Sequence, residues 1–184
     1  MTALTSGADD RAPEATPVDL PWHAAAGNHC FGCAANNPAG LALRLVASGE
    51  TVLCDFTLTR LHESYPGVVH GGVAAALLDE VMGSLLVHRE RKVCFTTSLR
   101  TTFAGALRVG EPYRAVAWIA ERSAQASADP AQLYKVHGEI RDATGAALVI
   151  ARGTFQWITA ETYARTIGGG DPSPEIAPLL RDHA

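Results

Sequence analysis

Residues 70–88, His70-Gly71-Gly72-Val73-Ala74-Ala75-Ala76-Leu77-Leu78-Asp79-Glu80-Val81-Met82-Gly83-Ser84-Leu85-Leu86-Val87-His88, decide the fold. The stretch is rich in Ala and Leu, with Gly confined to its start and to Gly83. This composition favours a helix. Its apolar residues cover most of the helical circumference, and such a helix must be buried nearly all round. The rest of the chain must therefore wrap it.

The flanking sequence supplies the wrapping. Leu41–Ala47 and Thr51–Thr59 alternate apolar and polar residues around Gly49-Glu50, the pattern of a hairpin. Beyond the helix, strands are expected at Val93–Phe103, Pro112–Ala120, Leu133–Asp142 and Ala146–Ile158. Asp142-Ala143-Thr144-Gly145 reads as a hairpin turn. Ser123–Ala131 reads as a polar loop. The expected order is strand–strand–helix–strand–strand–strand–strand, an α+β architecture with an antiparallel sheet around one long central helix. Residues 1–21 and 164–184 lack periodicity and are expected to be a disordered leader and a tail, leaving a domain at 22–163.

Fifteen Lys+Arg stand against 19 Asp+Glu, a net charge of −4. That balance argues against a nucleic-acid surface. No segment reads as the ~20 apolar residues that cross a bilayer, so no membrane contact is expected. The first twenty residues carry acids and no apolar run, unlike a signal peptide, so the expected location is cytoplasmic. The four cysteines are then expected as thiols.

Chemistry concentrates at the helix start. The first N–H groups of a helix lack internal partners and carry the positive end of the dipole, so they stabilise an oxygen gaining negative charge. Two glycines there allow close approach to the backbone. Asp79 lies about two and a half turns on, in an otherwise apolar run, where a carboxylate must be paired or serve a purpose. From the helix physics alone, a Gly-rich helix start with a capping Asp is as good a reading as a site.

Gly67-Val68-Val69-His70-Gly71-Gly72 followed by Asp79, Thr96 ahead of Gly110-Glu111, and Cys30-Phe31-Gly32-Cys33 with Asn37-Pro38-Ala39-Gly40-Leu41 resemble the hotdog-fold acyl-CoA thioesterases of the phenylacetate-pathway type. The resemblance covers roughly residues 29–158. It implies a hotdog fold and hydrolysis of an acyl-CoA thioester at an interface of a homodimer or dimer of dimers, with no separate cofactor. It further implies that the Gly71 N–H polarises the carbonyl. Asp79 of the partner subunit acts as general base or nucleophile, and Thr96 orients it. His70 shapes the turn. Gly72, Val69, Ser64 and Thr97 are implied as substrate contacts. A non-catalytic acyl-CoA-binding protein is the alternative; a hydratase-type Asp/His pair is a poor match.

Glu63 departs from the family pattern, which commonly has an amide there, and Ser64 stands where Gly is common. An amide can donate to a carbonyl, whereas an ionised carboxylate only accepts. Glu63 facing Asp79 would raise one pKa, supplying an acid–base pair or spoiling the site; facing solvent, it would do neither. His62 is expected as an ordinary loop residue. Val73, Leu77 and Phe103 are candidates to line an acyl tunnel, and Arg91, Lys92, Arg100, Arg108, Arg114 and Lys135 to meet CoA phosphates. Cys30 and Cys33, next to His29 and near His23, bring zinc to mind. A structural zinc normally needs four ligands, and no second pair is visible. No metal is expected, and the pair should pack a turn.

Overall fold

The computed structural model describes residues 15–24, 27–122, 133–167 and 172–180. Helix α1, Gly71–Glu90, forms on the expected stretch and runs two residues past His88. His70 caps its start, and Arg91, in the left-handed region at φ 54°, ends it. Leu77, Leu78, Val81, Met82, Leu85 and Leu86 are fully shielded from solvent. Contrary to the sequence expectation, α1 is long and apolar enough to cross a membrane, with 20 residues and a mean hydropathy of 1.3. Here its apolar face is spent on the sheet: α1 packs against strands on both sides of the chain's midpoint.

Those strands are β1 Thr16–Pro17, β2 Val46–Ser48, β3 Thr51–Thr57, β4 Cys94–Phe103, β5 Pro112–Arg122, β6 Leu133–Arg141 and β7 Ala147–Trp157. They form one antiparallel sheet in the order β1-β2-β3-β5-β6-β7-β4. The β6–β7 turn has Gly145 at φ 87°, its N–H donating to the Asp142 carbonyl at 3.0 Å. Along β6, Tyr134, Val136, Gly138 and Ile140 face inward. At Gly138 the sheet passes close to α1: a Cβ there would stand 3.2 Å from Leu78 Cδ2 and Met82 Sδ. Trp157 is buried at the end of β7, with the Lys92 ammonium 4.2 Å from its ring centroid.

Three sequence expectations change. Leu41–Ala47 is not a strand until Val46, because the N–H groups of Leu41 and Leu43 are drawn to the Phe31 and Gly32 carbonyls and Ala42 turns to φ 49°. Residues 15–20, within the expected leader, provide β1 and bury Val18 and Leu20 in the core. Helix α2, Ala160–Ile167, runs into the expected tail, and Leu179 returns to the core. Residues 1–14, the remainder of the leader, and the loop expected at Ser123–Ala131 lie outside the described residues.

Candidate functional site

The loop before α1 is held by its own backbone. The Ser64 N–H donates to the Val68 carbonyl at 2.8 Å, and the Ser64 hydroxyl to the same oxygen at 3.4 Å. Gly67 takes φ 76°, a conformation that favours glycine. Its N–H donates to Glu63 Oε1, and Arg60 Nε approaches Glu63 Oε2 at 3.5 Å. Glu63 therefore closes the 63–67 turn as an acceptor, and its carboxylate is engaged within the loop. Buried Val69 donates its N–H to the Leu107 carbonyl at 2.9 Å. His62 caps a short 3-10 turn through its Nδ1, while its carbonyl receives the His70 N–H at 2.8 Å.

His70 Nδ1 accepts the Gly72 N–H at 2.9 Å, so that nitrogen carries no proton. The His70 carbonyl accepts from Val73 and Ala74. His70 thus takes the Gly72, Val73 and Ala74 donors, and among the described residues no acceptor meets the Gly71 N–H. Phe103, at the end of β4, lies over Gly71: a Cβ on Gly71 would stand 3.3 Å from its Cζ. The two border a cavity of about 230 Å³ with Tyr65, Val69, Ala74 and Leu107. Tyr65 and Phe103 are 76% and 52% exposed, unusual for large apolar rings. Of the residues expected to line an acyl tunnel, Phe103 borders this cavity, whereas Leu77 is sealed in the core. A second cavity, of about 710 Å³, is bordered by Asp55, Tyr113, Arg114 and Arg141; of the expected residues it includes only Arg114, a candidate for a CoA phosphate.

Asp79 meets Thr96. The Thr96 hydroxyl donates to Asp79 Oδ1 at 2.8 Å. A β-bulge between Thr96 and Ser98 interrupts the β4–β7 register there, and the displaced Thr97 donates its hydroxyl to the Thr154 carbonyl at 3.0 Å. Within one chain, Gly71 and Asp79 are separated by about 12 Å of helix rise. They do not reach one atom together. β4 is the sheet's edge, and Thr96, Thr97, Ser98, Arg100, Thr102 and Phe103 are exposed along it.

Next to Asp79, Glu80 turns toward Cys30 and Cys33. Burial pushes the Glu80 carboxyl up to about 7. The Cys33 thiol, by hydrogen bonding to it, pulls Cys30 down to about 5, and the same bond raises Cys33. Nothing in the spacing of the sequence links Glu80 to the C-x-x-C.

The expected cations scatter. Arg114 pairs with Asp55 at 2.7 Å, and Lys135 with Glu121 at 2.7 Å. Lys92 is buried. Arg108 is bridged through its backbone to Val68, beside the helix start, and its side chain is exposed.

Residues 66–126 match the thioesterase superfamily model. No curated protein matches the chain. Among solved structures, a thioesterase superfamily protein is 26% identical with a TM-score of 0.57, over 65% of this chain and 56% of that one. This chain thus matches little more than half of that relative's length. The PaaI protein of the E. coli phenylacetic acid degradation operon is 15% identical with a TM-score of 0.55, over 64% of this chain and 80% of that one. A hypothetical thioesterase of Streptococcus pneumoniae TIGR4, solved with coenzyme A, is 14% identical with a TM-score of 0.52, over 59% and 81%. The chain has the α+β hotdog fold, and its segment 66–126 carries the sequence pattern of the thioesterase superfamily.

Proposed function

We propose that this protein hydrolyses the thioester of an acyl-CoA, releasing the free acid and CoA, at a site shared between two copies of the chain. The observation that carries the reading is the Asp79 carboxylate, held by Thr96 beside an unpaired edge strand and about a helix half-length from the Gly71 N–H. A carboxylate and a helix N-terminus so separated serve one carbonyl only if they come from different chains. A long open edge recruits another strand. Antiparallel pairing of β4 with its counterpart extends the sheet and brings each helix start toward the other chain's Asp79.

In this arrangement the acyl group enters the cavity under Phe103 and Tyr65. The thioester carbonyl accepts from the Gly71 N–H, which stabilises the oxyanion as water adds to the carbonyl carbon. Asp79 takes the proton from that water. Collapse of the adduct breaks the carbon–sulfur bond, and the thiolate leaves with a proton as CoA thiol. Arg108, exposed beside the helix start, is placed for a CoA phosphate. The coenzyme A in the Streptococcus structure and the superfamily match support the choice of thioester.

The test is incubation with aliphatic and aromatic acyl-CoAs and a thiol-trapping dye. Thiol release by the wild type, lost in Asp79→Asn, is expected. Binding of acyl-CoA without thiol release identifies a non-catalytic binding protein instead. A solution mass equal to one chain overturns the shared site.

A further inference from the structure

Two thiols and a carboxylate converge on the N-terminal side of α1. Cys30 and Cys33 come from the loop ahead of β2, Glu80 from the middle of the helix. Their ligand atoms all lie within 4.8 Å of one another, and Cys30 Sγ is 3.6 Å from Glu80 Oε2. With zinc–sulfur bonds of about 2.3 Å and zinc–oxygen bonds of about 2.1 Å, sulfur and oxygen on a tetrahedral ion stand about 3.6 Å apart. Cys30 and Glu80 already hold that spacing.

The loop is shaped around the carboxylate. Gly32, between the two cysteines, passes so close that a Cβ would fall 2.3 Å from Glu80 Cγ. The turn itself is secured without the thiols. The Ala34 N–H donates to the Cys30 carbonyl at 3.1 Å, the Cys30 N–H to Asn28 Oδ1 at 3.1 Å, and Leu41 and Leu43 bond to the Phe31 and Gly32 carbonyls. A turn-packing role therefore does not account for two thiols meeting a carboxylate in the interior. Among the described residues no Lys, Arg or His forms an ion pair with Glu80.

His23 lies nearby. Cys33 and His23 border one cavity of about 150 Å³, together with Asn28 and Arg44. His23 Nε2 is buried without a hydrogen-bond partner. Its Nδ1 accepts the Leu20 N–H at 3.4 Å and lies 3.7 Å from the Asp19 carboxylate, so His23 stands outside the set of three whose ligand atoms meet.

We propose that Cys30, Cys33 and Glu80 bind a zinc-class divalent ion, its fourth position left to water, as a clip between the N-terminal loop and α1. Two thiolates select a borderline-soft ion over magnesium or calcium. Two of the three donors lie three positions apart, and the third enters from the helix. A scan for paired motifs misses such a set.

The proposal is independent of the thioesterase reading, because its readouts are metal content and a spectrum. The full-length protein, prepared without chelator and dialysed, is expected to hold one zinc per chain by elemental analysis. Cobalt exchanged into the site is expected to show thiolate-to-metal charge transfer and the visible bands of a tetrahedral ion. Cys33→Ala should abolish both. Glu80→Gln should lower zinc retention against a chromogenic chelator by more than tenfold, since even outer-shell partners are worth about 10- to 100-fold. If Cys33→Ala does not fold, removal of zinc from the wild type and its return, followed by the cobalt spectrum, decides the matter. Wild-type protein without zinc and without a cobalt–thiolate band overturns the proposal. So does unchanged zinc content in the Cys30→Ala/Cys33→Ala double variant, or isolation of a Cys30–Cys33 disulfide from protein alkylated under argon.

Discussion

The Thr96 hydroxyl donates a 2.8 Å hydrogen bond to Asp79 Oδ1, joining the sheet's edge strand to the central helix. The two residues are 17 positions apart in sequence. The bond leaves Oδ2 and the second lone pair of Oδ1 to accept from a water.

Asp79→Asn removes a base while keeping size and shape. Under the proposed mechanism, acyl-CoA hydrolysis should fall about 10²- to 10⁴-fold. Thr96→Val leaves the carboxylate but removes its orienting donor, and kcat should fall about tenfold with little change in KM. Steady-state kinetics separates the two. A Thr96→Val enzyme with wild-type kcat would show that the bond is structural.

Glu63 acts as an acceptor for Gly67, and a glutamine oxygen can do the same. Glu63→Gln should therefore keep both stability and activity. Glu63→Ala hands the exposed Gly67 N–H to water and loosens the turn before α1, at a cost of about 0.5–1.5 kcal/mol in thermal or urea unfolding. Loss of activity in Glu63→Gln with a normal melting curve would instead place the charge itself in the chemistry.

Gly71 is held to glycine by Phe103. Gly71→Ala adds a methyl group 3.3 Å from the ring, so the ring must give by a few tenths of an ångström and the methyl narrows the cavity beside it. Turnover of bulky acyl groups should fall more than that of short ones, while the melting temperature stays near wild type, since the displaced ring is half exposed. Phe103→Ala in the same chain should restore part of the loss. Comparison of kcat/KM across acyl lengths reads this directly.

Alkaline pH should destabilise the fold through buried thiols. Burial pushes Cys54 from 9.0 to about 11, and Cys94 to about 12. The folded state thus favours the protonated thiols. Their contribution is complete below pH 9 and is lost as pH rises from there through the folded values. Melting temperature should fall over that window, and Cys54→Ala should flatten the decline relative to its own neutral-pH value. A parallel decline in both proteins would assign the loss to other groups.

Much of the fold was legible in the local pattern. The helix at 71–90 and the strands at 94–103, 112–122, 133–141 and 147–157 follow from 3.6- and 2-residue periodicities, which depend only on which face is buried. Leu41–Ala47 alternated equally well yet is largely irregular, because the Phe31 and Gly32 carbonyls compete for its N–H groups. Residues 15–20 and Leu179 showed no periodicity, yet they are buried by contacts with distant strands. A single strand-edge pairing or a lone leucine leaves no repeat to read.

The site divides the same way. Sequence by itself determined the Gly-rich start of α1, the carboxylate at Asp79 within an apolar helix, and the central helix that the rest of the chain must enclose, since each is a property of residue type and spacing along one element. Only tertiary structure decided that Thr96 reaches Asp79, that Phe103 covers Gly71, that Glu63 turns back to Gly67, and that Glu80 meets Cys30 and Cys33. Each of these is a contact across elements or across a folded loop. Its existence depends on sheet order, on a bulge in β4 and on a glycine that lets the backbone pass, and none of those is encoded in a local period.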